Sequence, residues 1–377
     1  MSFSPQDCQY MARALRLAEL GTYTTAPNPN VGCVLVKNGQ IIGEGYHQKA
    51  GEGHAEVNAV VKAKEAGHSV VGALAYVTLE PCSHVGRTPA CASMLIEEQV
   101  AEVIIAMVDP NPQVAGRGIG MLEQAGIKVR TGLMESAARA LNPGFLCRVE
   151  RKRPFVRLKL AGSIDAKTAL SNGESKWITS SYSRSDVQRE RARSHAILST
   201  ATTVLRDNAS LNVRHNELGS LTHHLEQQSL RQPLRIVVDR QQRLSAASQS
   251  LNIFKHPKSL WLAGTQLQSQ VAADKQFIIS DSDQSLSELM QQLAEAEIND
   301  VWVEAGANFA AALIKAKLVD ELICYQAGKL MGADAQSLIG LEGFTEMNQL
   351  NSWQCLETRR VGPDIKTIWI PQAKGAQ

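Results

Sequence analysis

The chain has 377 residues, 44% of them hydrophobic and 20% charged, with a formal net charge of +2. That length fits two or three domains better than a single core, and that composition excludes wholesale disorder. Near-neutral charge argues against nucleic acid as a partner, and no apolar run reaches the ~20 residues needed to cross a bilayer, so a membrane partner is not expected either.

Ser4 and Pro5 read as a cap and a first-turn proline, opening a helix whose inner face carries Met11, Leu15 and Ala18. Residues 31–36 read as a buried strand, Asn38-Gly39 as a hairpin turn and residues 41–46 as the returning strand. A helix follows over 54–66, a strand over 73–79, a helix over 91–99 and a strand over 102–108. Residues 120–126 close another helix, and 127–129 form a short strand. This alternation predicts an α/β layer structure. The basic run Arg148 to Arg153, ending at Pro154, reads as a solvated linker or a domain entry, dividing the chain into domains 1–147 and 148–377. A second α/β pattern begins with a strand from Phe155, and its clearest later strands are 235–238 and 301–304. Residues 216–231 and 264–286 are polar and read as surface loops or poorly packed helices.

Seven cysteines stand at 8, 33, 82, 91, 147, 324 and 355. An odd number spread over a long chain does not suit a disulfide framework, and no secretory signal opens the sequence. The expectation is a reducing, cytoplasmic setting with mostly free thiols, some of them metal ligands. The strongest pattern is His54-Ala55-Glu56, then Pro81-Cys82, then Cys91. One imidazole and two thiolates suit Zn²⁺, and three protein ligands leave the fourth position that catalytic zinc keeps open. Glu56 lies two residues past a ligand and need not bind metal; it can shuttle the proton of a water whose pKa zinc lowers toward ~7. H-x-E with P-C is half of the zinc deaminase signature, but here eight residues separate the cysteines where that signature has two. His84 competes as a further ligand, which would suit a closed, zinc-stabilised binding module instead.

With that longer cysteine spacing, with residues 25–32 (Thr-Ala-Pro-Asn-Pro-Asn-Val-Gly), with Gly45-Tyr46-His47 and with residues 51–56, the first half resembles the deaminase half of the bifunctional enzymes of riboflavin biosynthesis. From residue 154 the chain resembles their reductase half. The matching stretches are 158–165, 173–179, 202–207, 211–214, 237–239 and 303–306, in one order along the chain. The resemblance implies a cytidine-deaminase-like three-layer domain followed by a dihydrofolate-reductase-like α/β domain, with Zn²⁺ and NADPH as cofactors. It implies hydrolytic deamination of 2,5-diamino-6-(5-phosphoribosylamino)pyrimidin-4-one, then reduction of the ribosyl group to ribityl. Asn28, His47 and Arg87 would line the deaminase pocket. Ser175, Arg191, Leu211, Arg214 and Glu304 would hold the reductase substrate, with Lys159 and Asp165 as further pocket candidates. Ala161, Trp177, Thr203 and Asp207 would contact the cofactor, together with Gly306, Ala307, Asn308, Phe309, Ala310, Ala311 and Ala312. The family also implies a homodimer.

The residues of the second half carry readings of their own. Arginines suit a ribose phosphate because the guanidinium fork meets two oxygens. Arg191 stands in a run with Arg184, Arg189 and Arg193, which otherwise reads as a solvated helix face. The segment from Glu304 to Asn308 follows a strand and opens a helix, either an ordinary turn or a phosphate cradle. No G-x-G-x-x-G is present, which disfavours a Rossmann site. Asp165-Ala166 stands where the family commonly has Asp-Gly, and Asn208-Ala209 and Gly306-Ala307-Asn308 also depart from its usual loops. A nucleoside deaminase with a silent second domain is the rival enzymatic reading.

Overall fold

The computed structural model describes residues 2–83, 90–112, 114–223, 225–246, 250–255 and 259–372. The chain forms two compact units, 1–152 and 153–377.

The first unit runs α1 (Pro5–Glu19), β1 (Gly32–Lys37), β2 (Gln40–Tyr46), α2 (Ala55–Glu65), β3 (Leu74–Val77), α3 (Cys91–Glu97), β4 (Glu102–Ile105), α4 (Arg117–Gln124), β5 (Lys128–Thr131), α5 (Glu135–Leu141) and α6 (Pro143–Arg151). The sheet order is β2-β1-β3-β4-β5. β1 pairs antiparallel with β2 and β3, while β3, β4 and β5 are parallel. Alternate side chains feed opposite faces of the sheet. Cys33, Leu35, Val103 and Ile105 join one core with Ala55, Ala59, Leu95 and Leu122 of α2, α3 and α4. Val34, Val36 and Ile104 join another with Met11, Leu15, Ala138 and Leu146 of α1, α5 and α6. These are the three expected layers. Gly45 lets α2 approach β2 closely, since a Cβ there would lie 2.3 Å from the Ala55 carbonyl oxygen. That approach sets the height at which the first turn of α2 stands over the sheet.

The second unit runs β6 (Phe155–Ser163), β7 (Lys167–Ala169), α7 (Ser181–Arg193), β8 (Ala196–Thr200), α8 (Ala201–Asp207), β9 (Leu234–Val238), β10 (Leu260–Gly264), β11 (Lys275–Ile278), α9 (Ser285–Glu295), β12 (Asp300–Glu304), α10 (Ala307–Lys315), β13 (Glu321–Ala327), β14 (Gln336–Ser337), β15 (Trp353–Val361) and β16 (Asp364–Pro371). Its main sheet is ordered β11-β10-β9-β8-β12-β6-β13-β16-β15. The strands from β11 through β13 are parallel, and β16 and β15 add antiparallel strands at one end. One face packs on α9 and α10, and the other on α7 and α8. From β8 the chain moves outward to β11, then returns to place β12 on the other side of β8. Open parallel sheets bind ligands beyond the carboxyl ends of strands at such a reversal.

Two local expectations are corrected and a third holds. The basic run is mostly helix: Arg148 and Arg151 lie in α6, whose Leu146, Cys147 and Val149 are buried, so the charges occupy the outer face of an amphipathic helix, while the division between the units falls at the end of the run, after Lys152. Residues 264–286 contain β11, a short parallel edge strand that buries Phe277. Residues 216–231 keep to the surface reading: among the described residues they carry only the 3₁₀ turns His215–Glu217 and Gly219–His223, neither with a buried residue.

Candidate active site

His54 is the residue before α2, in extended backbone, so its carbonyl starts the helix and its ring is left to face the loop after β3. Cys82 lies on that loop, and Cys91 opens α3. The three ligand atoms lie within 4.8 Å of one another. His54 Nδ1 is 3.3 Å from Cys91 Sγ and 3.6 Å from Cys82 Sγ. Zinc bonds of about 2.1 Å to nitrogen and about 2.3 Å to sulfur put tetrahedral ligand atoms roughly 3.5–3.8 Å apart, so the triangle fits zinc in both size and donor chemistry. The hydrogen bond from the Cys91 thiol holds the Cys82 thiol well below its ordinary range, with His54 adding to the effect. His54 is raised, chiefly by Cys82. The Cys91 backbone N–H also donates to Cys82 Sγ, at 3.3 Å. One thiolate is thus favoured even before a metal binds.

Glu56 is in the first turn of α2 and only 3% exposed. Burial, then the neighbouring Cys82, pushes its carboxyl up to about 7. His47 follows β2 and packs edge-on against His54, ring centroids 5.3 Å apart. Its Nδ1 is 3.1 Å from the Gly53 carbonyl and its Nε2 is 3.0 Å from Asn28 Nδ2. A carbonyl only accepts, so the proton sits on Nδ1 and Nε2 accepts from the Asn28 amide. Burial lowers the His47 pKa further and favours this neutral form. Asn28, His47, His54, Glu56 and Cys82 all line one cavity of about 550 Å³, ample for a small ligand. Arg87 and the competing ligand His84 lie outside the described residues.

The cavity also holds residues that sequence reasoning missed. Glu80, Asp109, Asn111 and Val114 form one wall, and Phe145 of α6 contributes too. Glu80 stood in plain view two residues before Cys82, but its role depends on backbone partners that leave no sequence mark.

The second unit gathers the remaining candidates around the strand reversal. Lys159 of β6 is the register partner of Glu304 at the end of β12. Glu304 accepts from Arg191 Nε at 2.6 Å and Nη2 at 2.8 Å, and from Trp302 Nε1 at 2.7 Å. Burial acts to raise the Glu304 carboxyl, but Arg191 and Lys159 outweigh it and bring it to about 2. Burial dominates at Lys159 and lowers its pKa. Arg191 also donates to the Asn212 carbonyl at 2.9 Å, so its fork is directed at protein groups. The other arginines of the run are engaged as well: Arg189 with Asp186, Arg193 with Glu190, and Arg184 over the Trp177 ring at 4.5 Å. Arg214 is more exposed and pairs with Glu217. Leu211 is buried with φ at 51°, and Ser175 is half-buried in the segment after β7.

Among the cofactor candidates, Ala161 lies on β6 and Trp177 is 67% exposed. Thr203 donates its N–H to the Thr200 hydroxyl at the start of α8, and Asp207 ends that helix. Gly306 caps α10, and a Cβ there would meet nothing within 4 Å, so the helix start faces open space. Gly306 and Asn308 are exposed, Ala307, Phe309 and Ala312 are half-buried, and Ala310 and Ala311 are buried. An open helix start beside the strand reversal suits a phosphate-bearing cofactor such as NADPH. Asp165 accepts the N–H groups of Met331 and Gly332, which ties the segment after β13 to the β6–β7 turn.

Comparison with known proteins covers both units. Residues 4–107 match the family model for the cytidine and deoxycytidylate deaminase zinc-binding region, and residues 154–367 match the RibD C-terminal domain. The chain is 51% identical over 365 residues to the riboflavin biosynthesis protein RibD of Escherichia coli, covering 96% of this chain and 98% of that one. It is 48% identical over 375 residues to the RibD of Haemophilus influenzae, covering 99% of each. Among solved structures, Acinetobacter baumannii RibD superposes with a TM-score of 0.89 at 42% identity, covering 98% of this chain and 99% of that one. A diaminohydroxyphosphoribosylaminopyrimidine deaminase/5-amino-6-(5-phosphoribosylamino)uracil reductase from Thermotoga maritima gives 0.84 at 30% identity, covering 97% and 99%.

Proposed function

The chain belongs to the RibD family of riboflavin biosynthesis proteins, and from that membership we propose how its residues divide the work. It is a deaminase and a reductase, with zinc and NADPH as cofactors. We assign the deaminase to the first unit and the reductase to the second. The proposed substrate is the diamino-pyrimidinone carrying a phosphoribosylamino group, and the proposed product is the uracil derivative with a ribityl phosphate chain. The observation that carries the first assignment is the His54, Cys82 and Cys91 triangle opening on the cavity that also holds Glu56.

His54 Nδ1 and the thiolates of Cys82 and Cys91 would hold the zinc. When bound, zinc supplies acidity to a coordinated water. Glu56, lining the same cavity, would hold a proton on its carboxylate and pass it to the leaving amine. Neutral His47 fixes Asn28, whose Nδ2 is spent on it, leaving Asn28 Oδ1 to accept from the pyrimidine's N–H groups. Arg87 is assigned to the same pocket.

In the second unit, NADPH supplies the hydride when bound. The start of α10 at Gly306, Ala307 and Asn308 holds its phosphates, with Ala161, Trp177, Thr203 and Asp207 along its length. Glu304, kept ionised by Arg191, accepts from ribose hydroxyls, and Lys159 and Ser175 complete that end of the pocket. Arg214 is assigned to the phosphate, a reading supported by its exposed pair with Glu217, which is weak and easily exchanged. Leu211 walls the pocket. Hydride transfer rests on proximity and orientation, which phosphate clamps supply.

We further propose a homodimer and a cytoplasmic location. The outer strand β15 is the surface proposed for pairing, since residues 354–360 are exposed along it. None of the seven cysteines is joined in a disulfide, as a reducing compartment favours. No helix among the described residues is long and apolar enough to cross a membrane.

The test is ammonia release by Glu56→Gln. Retained zinc with turnover reduced by at least about a hundredfold is the expected result, the usual scale for a lost proton shuttle. Undiminished turnover would sink the shuttle. For the second unit, substrate-dependent NADPH oxidation by the full chain is expected, and its absence would remove the reductase assignment.

A further inference from the structure

Glu80 is a buried carboxylate, 4% exposed, with no part in the chemistry above. Its Oε2 accepts the backbone N–H groups of Asp109 at 3.2 Å and Gly116 at 3.0 Å. Its Oε1 accepts those of Gly118 at 3.0 Å and Ile119 at 3.3 Å. Asp109 and Gly116 bracket the loop that carries Asn111 and Val114 to the cavity wall, and Gly118 and Ile119 belong to the first turn of α4. Both oxygens are engaged, so Glu80 is not placed to carry protons. It is placed to join two parts of the pocket. Its own N–H donates to the Met107 carbonyl at 3.0 Å, and Cys82 follows two residues later. Gly118 lies against the neighbouring Pro81 carbonyl, where a Cβ would come within 2.0 Å. The chain bearing a zinc ligand and the loop forming the wall are therefore held at a fixed spacing by one side chain.

We propose that Glu80 is a positioning residue for deamination: it holds the 109–116 loop at the distance from the zinc ligands that the pyrimidine ring requires. The proposal rests on the deaminase reading of this cavity. Four donors converge on it, and only a carboxylate offers two accepting oxygens; an amide turns an NH₂ group toward two N–H groups. The positive end of α4 adds to the preference for negative charge. Loss of the clamp loosens the wall without touching Glu56 or the metal ligands, so binding suffers before chemistry does.

The experiment measures ammonia release by the full-length chain without NADPH, comparing wild type with Glu80→Gln and Glu80→Ala over a range of substrate concentrations. Bound zinc is measured on the same preparations. Glu80→Gln is expected to raise KM about tenfold, as the loss of a buried hydrogen bond implies. Its kcat should move by less than about threefold, and bound zinc should stay at the wild-type level, since the binding lost is shared equally by ground state and transition state. Glu80→Ala should raise KM further in the same direction. An unchanged KM overturns the proposal. So does loss of zinc, or a fall in kcat at constant KM, because either makes Glu80 part of the metal frame. A wild-type chain that releases no ammonia counts instead against the deaminase reading.

Discussion

Ala166 sits at φ 54° in the turn joining β6 to β7, where a Cβ is disfavoured and glycine is not. The family's usual Asp-Gly at this place thus has a backbone cause. Ala166 is exposed and its methyl packs into no core, so Ala166→Gly is expected to stabilise the second unit by about 0.5–1 kcal/mol, read as a higher denaturant midpoint. No gain would show that the turn relaxes around alanine. Asp7 is the opposite case, a residue whose environment suits it. It closes the capping box of α1 with Ser4, accepts from the Tyr76 hydroxyl at 2.7 Å and pairs with Arg130 at 3.2 Å. Burial acts to raise its carboxyl, but the hydrogen bonds from Arg130, Tyr76 and Ser4 outweigh it and hold it well below the usual range. A depressed carboxyl contributes stability that is fully present above the unfolded pKa and is lost as pH falls through the folded one. Asp7→Asn should therefore cost about 2 kcal/mol at neutral pH, and the cost should shrink in acid below pH ~4. Equal penalties at both pH values would argue against the ion pair.

At the scale of elements, one buried charge cluster binds a helix to three strands. Asp186 of α7 accepts from Tyr325 of β13 at 2.7 Å, Lys366 of β16 at 2.9 Å and Arg359 of β15 at 2.8 Å. Lys366 is 1% exposed and reaches Glu190 as well, at 2.6 Å. Lys366→Met leaves two buried carboxylates facing each other, and breaking such a pair costs about 3–5 kcal/mol. Urea unfolding of the second unit should show that loss while bound zinc is unchanged; a cost below about 1 kcal/mol would mean that the carboxylates relax to solvent or take up protons. Nothing in the sequence marked this cluster, because its members are spread from Asp186 to Lys366 and only the sheet order brings them together. The same limit hid β11, whose single buried aromatic, Phe277, sits in a polar stretch. It hid α6 too, where surface charges masked a buried Leu146 and Val149. Strands with alternating or unbroken apolar patterns, such as β1, β9 and β12, were legible because burial itself dictates their residues. The zinc triangle was legible for a different reason, since few roles other than metal binding ask for one histidine and two cysteines beside a glutamate. Glu80 was not, since backbone N–H groups are the same at every position but proline.

Over the whole molecule, each unit has its own hydrophobic cores, and the candidate zinc ligands His54, Cys82 and Cys91 lie in the first. Chemistry that depends on the metal should then be separable from chemistry that depends on the cofactor. Stripping zinc with a chelator is expected to abolish ammonia release from the diamino-pyrimidinone substrate. NADPH oxidation on the deaminated uracil substrate should continue at a rate within about twofold of the untreated chain, because metal binding couples to the folding of the unit that holds it. The layers of the first unit support this outcome: cores on both faces of its sheet are built from apolar side chains that do not include the metal ligands. Circular dichroism after chelation should thus retain its helical signal, and readdition of zinc should restore ammonia release. Parallel loss of both activities would mean that the zinc site also supports the reductase, and the division of labour between the units would have to be abandoned.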